Sequence, residues 1–118
     1  MTNTHKDLDV WKLGIDLVQK IYLATNEFPK EELYGLTSQL RRSTVSIPSN
    51  IAEGYARNGR KEYTQFCSIA FGSSAELETQ LIILRNIYSD ISIEKAEKLT
   101  TEVQKMLYAL IMKLKSKP

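Results

Sequence analysis

The chain has 118 residues, of which 42% are hydrophobic and 25% are charged, and its formal net charge is +2. This size and composition favour a single domain, residues 1–118, with a modest core, and so small a net charge does not by itself imply a polyanionic partner. One cysteine excludes an internal disulfide and a cysteine-rich metal site. The N-terminus lacks a signal-peptide pattern, and no apolar run approaches the roughly 20 residues of a membrane span. We therefore expect a cytoplasmic protein with no membrane partner.

Apolar residues recur with a helical period in four segments. They predict helices over about 8–27, 30–57, 60–88 and 92–115. Phe28-Pro29 separates the first two because a residue before proline is pushed out of the α region. Asn58-Gly59 ends the second helix through a positive φ, and Ser92 is expected to cap the fourth. Four helices with short connections predict an all-α, up-and-down antiparallel four-helix bundle.

The first helix carries more apolar surface than a small bundle needs. Its apolar residues cover an arc of roughly 220°, whereas a surface helix buries little more than 100°. The two faces of this arc are Trp11, Ile15, Val18, Tyr22 and Thr25, and Val10, Leu13, Leu17, Ile21 and Ala24. Phe71, Ile82 and Ile83 likewise fall outside the core stripe of the third helix. A homo-oligomer is the favoured interpretation, and a monomer is the alternative.

Two residues that weaken helices lie inside predicted helices. Pro48 interrupts the second, but the apolar stripe resumes in phase at Ile51, so the proline should bend the helix rather than end it. Gly72 lies in the middle of the third, where glycine costs about 1 kcal/mol relative to alanine. We expect another backbone to approach closely at Gly72.

A polar flank and a basic cluster occupy the second helix and its exit. The flank consists of Gln39, Arg42, Ser46, Asn50 and Glu53, at helical spacing. It is interpreted as a polar network at a helix or subunit boundary, in which Glu53 neutralises an arginine and Asn50 bonds backbone. The basic cluster is Arg41, Arg42, Arg57, Arg60 and Lys61, and with one acid between residues 41 and 61 the local balance is +4. Such residues can bind phosphates without choosing a sequence.

The sequence offers little for catalysis, cofactors or metals. The only histidine is His5, so the Glu-x-x-His pairs of a di-metal bundle are missing. Cys67 has no histidine partner and is interpreted as a small core residue. The serines lack a base, and no phosphate-cradling glycine-rich motif is present. We predict a protein that is not an enzyme and holds no cofactor.

Three blocks of the sequence identify a family. They are Phe28-Pro29-x-Glu31-Glu32-x-Tyr34-Gly35-Leu36, Ser46-Ile47-x-x-Asn50-Ile51-Ala52-Glu53-Gly54 and Ile69-Ala70-x-Gly72-Ser73-Ser74. With them the chain resembles the bacterial four-helix bundle proteins of the 23S rRNA intervening-sequence family, which also includes the accessory variability protein of diversity-generating retroelements. The resemblance implies a homopentameric barrel without catalytic residues. The retroelement member is a basic scaffold that binds nucleic acid and a reverse transcriptase.

Two functional hypotheses follow from the residues and the resemblance together. The first is a non-catalytic homo-oligomeric scaffold that binds RNA or DNA with little sequence specificity. The resemblance carries this role to Arg41, Arg42, Arg57, Arg60 and Lys61. The second is a protein–protein adaptor that assembles with itself, or with a reverse transcriptase or other protein, and binds no nucleic acid.

Overall fold

The computed structural model describes residues 4–116. In this range the chain forms four α-helices and no strand, which confirms the all-α class. They are α1 (Asp9–Thr25), α2 (Leu36–Ala56), α3 (Arg60–Ile87) and α4 (Glu94–Lys115). Single 3-10 turns lie at His5–Asp7 and Lys30–Glu32.

Consecutive helices run antiparallel, as contacts between their side chains show. Ser43 of α2 bonds Gln80 of α3, and Ser46 bonds Ser73. The residue number of the partner on α3 therefore falls as the residue number on α2 rises. The same reversal relates α3 to α4, where Arg85 pairs with Glu97 and Phe71 lies beside Tyr108. Each helix packs against two others, α1 against α2 and α4, and α3 against α2 and α4. The molecule is therefore an elongated bundle with extents of 48 × 25 × 22 Å.

The core is a central stripe contributed by all four helices. Its largest fully buried side chains are Leu17, Ile21, Leu40, Ile47, Ile51, Leu77, Leu81, Leu84, Leu107 and Val103. On α1 the inner face is the Val10, Leu17 and Ile21 set, whereas Tyr22 of the other predicted face is 40% exposed. The two predicted faces are not sharply separated, since Thr25 of the Tyr22 face is buried and Leu13 and Ala24 of the inner face are only half-buried.

The predicted second helix is divided in two. Lys30–Glu32 forms a separate 3-10 turn, and α2 begins only at Leu36, because Gly35 adopts a backbone with ψ −108° outside the helical region. Leu33 is consequently 46% exposed rather than part of the core. From Leu36, α2 continues through Pro48 to Ala56.

The predicted cap of the fourth helix is wrong. Ile93, not Ser92, is the N-cap residue of α4, and it makes no side-chain cap bond. Ile93 is 3% exposed. Burying an isoleucine stabilises a fold by about 1.5–3 kcal/mol, whereas a serine cap contributes typically about 1 kcal/mol. The core contact therefore decides where this helix begins.

The close approach between helices occurs at Gly54 and not at Gly72. A Cβ added at Gly72 would meet nothing within 4 Å, so the approach predicted there is absent within residues 4–116. At Gly54 an added Cβ would lie 2.7 Å from Cβ of Phe66 on α3. Gly59 has the expected positive φ, +157°, but α2 already ends at Ala56 because Arg57 is extended, and Gly59 is the N-cap residue of α3.

Candidate nucleic-acid interface and the α2–α3 seam

A polar seam runs between α2 and α3. The hydroxyls of Ser46 and Ser73 are 2.8 Å apart. Asn50 donates its amide N–H to the backbone oxygen of Ser46 at 2.7 Å and to its hydroxyl at 2.9 Å. One turn away, the Ser43 hydroxyl donates to the amide oxygen of Gln80 at 3.0 Å. The Ser46–Ser73 and Ser43–Gln80 bonds cross from α2 to α3, and they pair polar groups that this interface would otherwise bury without a partner.

The predicted polar flank is only partly gathered into this seam. Ser46 and Asn50 belong to it, and Gln39 and Arg42 line an adjoining cavity of about 360 Å³ that also contains Glu76. Glu53 lies further along α2 and pairs with Arg57 at 2.8 Å. The flank therefore divides into a seam, a cavity wall and a separate ion pair.

Arg41 is bound into the fold. Its Nε donates to the hydroxyl of Thr25 at 2.9 Å, and a terminal nitrogen donates to the side-chain oxygen of Asn26 at 3.1 Å. Its guanidinium also lies 4.5 Å from the centre of the Tyr22 ring. Since these contacts hold the end of α1 against α2, Arg41 is occupied by a structural role.

Arg57 is surrounded by protein groups as well. Besides the bond to Glu53, it lies 3.6 Å from a carboxylate oxygen of Glu62 and 5.1 Å from the centre of the Phe66 ring. Both acids compensate its charge locally. The electrostatic attraction that Arg57 offers to a phosphate is correspondingly reduced.

The remaining basic residues of the predicted cluster lie on the surface. Arg60 and Lys61 begin α3, directly after the Gly59 turn, and both are exposed. Arg42 is exposed on α2 and has no hydrogen bond or ion pair within residues 4–116. The five predicted cations therefore do not form one patch: Arg41 is inside an interface, Arg42 lies in the first half of α2, and Arg57, Arg60 and Lys61 share the α2–α3 turn.

Two titratable groups in the first half of α3, Tyr63 and Cys67, have raised pKa values. Burial raises the pKa of the Cys67 thiol to about 11. Burial also raises the pKa of Tyr63 to about 12, with smaller contributions from Cys67 and Tyr55. Since a thiol must ionise to act as a nucleophile, Cys67 packs in the interior as an inert side chain at neutral pH.

Several residues of the site escaped the sequence interpretation. Ser43, Ser73 and Gln80 supply the partners of the seam, yet nothing in their spacing separates them from ordinary surface positions. The small-residue run Gly72-Ser73-Ser74 is the one signal in the sequence, and it predicts a close backbone approach, whereas Ser73 makes a side-chain hydrogen bond. The polar contact of Tyr88 also escaped the sequence interpretation: Tyr88 packs against the core, and its hydroxyl donates to Glu32 at 2.7 Å, a bond that raises the pKa of Tyr88.

The described residues show no further chemical centre. Across residues 4–116, no three residues of histidine, cysteine, aspartate or glutamate come close enough to share a metal ion. None of the helices formed by these residues combines the length and apolar content that a membrane span requires.

Fold and site together define a class of small helical bundle proteins with a polar seam between two helices and basic side chains at one turn. A sequence model of the family named 23S rRNA-intervening sequence protein matches residues 6–109. The chain therefore belongs to this family, as the sequence blocks indicated. A comparison with curated proteins finds no match.

Proposed function

We propose that the protein is a non-catalytic, homo-oligomeric scaffold that binds RNA or DNA through a basic surface with little sequence specificity. The observation that carries this proposal is the basic turn, defined as Arg57, Arg60 and Lys61, where all three side chains are exposed. Lysine and arginine on a turn at one end of a bundle can reach phosphates without contacting bases. The family name, which refers to ribosomal RNA, is consistent with such a partner.

Assembly is supported by the apolar surface that one chain leaves uncovered. Four isoleucines of α3 are between 41% and 60% exposed. They are Ile69, Ile82, Ile83 and Ile87. Contiguous exposed apolar surface marks an interaction site, and Ile83 and Ile87, four residues apart, lie on the same face of α3. In the pentameric barrel that the resemblance implies, the basic turn would be repeated five times, and weak phosphate contacts would add up.

Nucleic-acid binding is tested by fluorescence anisotropy with a labelled single-stranded RNA at several salt concentrations. The double substitution Arg60→Glu and Lys61→Glu should weaken binding and lower the salt slope by about two. Lys95→Glu with Lys98→Glu, on exposed positions of α4, is the matched charge control and should change affinity less. Equal affinity of the two double variants would refute the role of the basic turn.

Assembly is tested by light scattering on the intact protein. A pentamer should have about five times the 13.5 kDa mass of one chain. Ile83→Asp with Ile87→Asp should lower this mass, because both side chains lose their apolar surface. Lys105→Asp, on an exposed position of α4, should leave it unchanged. A wild-type mass of one chain would contradict the assembly.

A second candidate is a protein–protein adaptor without nucleic-acid binding, whose partner would be another copy, a reverse transcriptase or another protein. The local pairing of Arg57 with Glu53 and Glu62 favours it, because paired arginines attract a polyanion less. The variant Arg42→Ala separates the two candidates. If it lowers the mass in solution but leaves RNA affinity intact, the adaptor is the better description.

A further inference from the structure

An open groove lies where α2 begins. It has a volume of about 500 Å³. Its walls extend from Tyr22 of α1 to Arg42 and Val45 of α2. A second cavity of about 210 Å³ adjoins it, and the two share Leu33, Thr37 and Arg41 as walls. We call the two together the α2 groove. Neither cavity of the groove is lined by an aspartate or glutamate, although Arg42 also lines the neighbouring cavity that contains Glu76.

Thr37, on the wall that the two cavities share, has a buried hydroxyl with no hydrogen-bond partner within residues 4–116. Thr37 is 3% exposed, and the unpaired atom is its Oγ1. The other helical threonines of residues 4–116 each donate to the carbonyl four residues earlier. These are Thr25, Thr44, Thr64, Thr79, Thr100 and Thr101. Thr37 is the second residue of α2, so no helical carbonyl precedes it at that distance, and its buried hydroxyl is destabilising unless a ligand accepts from it.

The same end of α2 offers backbone donors. The N-cap residue is Gly35, and no side chain caps the helix. The N–H groups of Leu36, Thr37 and Ser38 therefore have no acceptor within the helix, and the helix dipole makes this end attractive to anions. Glu32 has a carboxylate beside Gly35, but it accepts a hydrogen bond from Tyr88 and lines neither cavity.

Three cations complete the groove. Arg42 lies one turn after Ser38 on the same side of α2 and has no hydrogen bond or ion pair within residues 4–116. Lys30 lines the smaller cavity and is likewise unpaired there. Arg41 uses Nε and one terminal nitrogen for Thr25 and Asn26, which leaves its other terminal nitrogen without a partner. Arg41 and Thr37 line both cavities, Arg42 lines the larger one and Lys30 the smaller one, so all of these donors border the α2 groove.

The rim of the groove is apolar and aromatic. Tyr34 is 93% exposed, and Leu33 beside it is 46% exposed. A ligand that places only an inorganic anion in the groove would leave this surface uncovered. An aromatic group attached to the anion can stack on the Tyr34 ring, because tyrosine offers a flat face to nucleic-acid bases.

We propose that the α2 groove binds a nucleoside monophosphate, either free or as the 5′-terminal nucleotide of a strand. The phosphate accepts hydrogen bonds from the Thr37 hydroxyl, the first N–H groups of α2 and the Arg42 guanidinium, and the base packs on Tyr34. A phosphate monoester fits these donors better than a carboxylate because it has three terminal oxygens and nearly two negative charges at neutral pH.

The test is calorimetry on the full chain with adenosine 5′-monophosphate, inorganic phosphate and adenosine. The monophosphate should bind most tightly, phosphate more weakly, and adenosine weakest of all. Thr37→Val, which keeps the shape and removes the hydroxyl, should raise the dissociation constant for the monophosphate about tenfold. Thr101→Val, on an exposed position of α4, is the matched control and should not change it.

The same variant should bind the ligand more weakly without being less stable in the absence of ligand. Thr37→Val removes an unpaired buried hydroxyl, so its melting temperature without ligand should equal or exceed that of the wild type. Arg42→Gln, on an exposed side chain, provides a second variant that should weaken binding without unfolding the protein. Failure of the wild type to bind the monophosphate, or equal binding by all of these variants, would overturn the proposal.

Two further measurements identify the source of the phosphate and any competing occupant. Tighter binding of a 5′-phosphorylated trinucleotide than of its 5′-hydroxyl form, lost in Thr37→Val, assigns the groove to a strand end. Equal binding of both, with the free monophosphate still bound, assigns it to a free nucleotide. If Leu33→Asp instead lowers the mass in solution and no monophosphate binds, a second chain covers the groove and the proposal is wrong.

This site is independent of the basic turn. At 1.5 Å per residue along α2, Arg57 of the basic turn lies about 30 Å from Thr37 and about 22 Å from Arg42. Arg60→Glu with Lys61→Glu should therefore leave monophosphate affinity unchanged, even where it weakens the binding of a long RNA. Failure of one proposal can in this way be told from failure of the other.

Discussion

The two sides of α2 are held by different means. Towards α1, the contacts are Pro48 against Gly14 and the Arg41 side chain on Tyr22, Thr25 and Asn26. Towards α3, the contacts are short bonds between hydroxyl and amide groups, followed by the close approach at Gly54. The long side chain of Arg41 connects α2 to α1, whereas small residues allow α2 and α3 to pack closely together.

This difference determines which substitutions each side tolerates. A long side chain such as arginine spans a gap and can be lost without moving a helix. Small residues at a close approach leave no such space, because anything larger meets the backbone of the other helix. The α3 side should therefore be the more sensitive to added volume, and the α1 side to the loss of polar contacts.

Gly54→Ala should have the largest effect. The new Cβ would meet Cβ of Phe66 at 2.7 Å and the backbone oxygen of Tyr63 at 3.2 Å, so α2 and α3 must separate. We expect the free energy of unfolding to fall by about 1–3 kcal/mol in urea denaturation, in spite of the better helix propensity of alanine. Gly14→Ala is the control on the α1 side, since its Cβ would lie at an ordinary 3.4 Å from Pro48. Equal stability of the two variants would remove the distinction between the interfaces.

Arg41→Ala should come next. It removes two hydrogen bonds and the stacking on Tyr22, which together stabilise the fold by about 1–2 kcal/mol. Arg42→Ala, one residue further, should change the free energy of unfolding by no more than about 0.5 kcal/mol because its side chain is exposed. Thermal unfolding of both variants compares a structural arginine with a surface one. A larger loss in Arg42→Ala would show that the second arginine is the structural one.

Ser46→Ala probes the seam itself. Its hydroxyl bonds Ser73 and Asn50, so the substitution should cost about 1 kcal/mol. Ser73→Ala breaks the same contact, and the double variant should cost less than the sum of the single ones. Strict additivity in denaturant unfolding would mean that the two serines do not interact in solution.

Gly72→Ala should have the smallest effect on stability, and it should stabilise the protein rather than destabilise it. An added Cβ would meet nothing within 4 Å among residues 4–116, so better helix propensity should raise the free energy of unfolding by about 0.5–1 kcal/mol. Light scattering on the same variant adds a second readout. A lower mass in solution would show that Gly72 is the close contact of another chain after all.

Much of the fold could be predicted from the sequence, and less of the site. Helical periodicity identifies stripes such as Leu77, Leu81 and Leu84, because burial repeats at the period of the helix. The polar flank has the same helical period, but its members make three different kinds of contact. Asn50 bonds Ser46, Glu53 bonds Arg57, and Gln39 lines a cavity. Spacing assigns a side chain to a face, yet its partner is supplied by another helix.

By itself, the sequence determined the all-α class, the turn at Gly59 and the family, since each rests on local backbone preference or on a short run of residues. Only the tertiary structure decided which of two adjacent arginines is bound, which of two mid-helix glycines is crowded, and that Thr37 is left without a partner. These outcomes depend on small differences in the distances between segments that are far apart in the chain. Packing alone brings those segments together, and a one-dimensional pattern does not contain the distances.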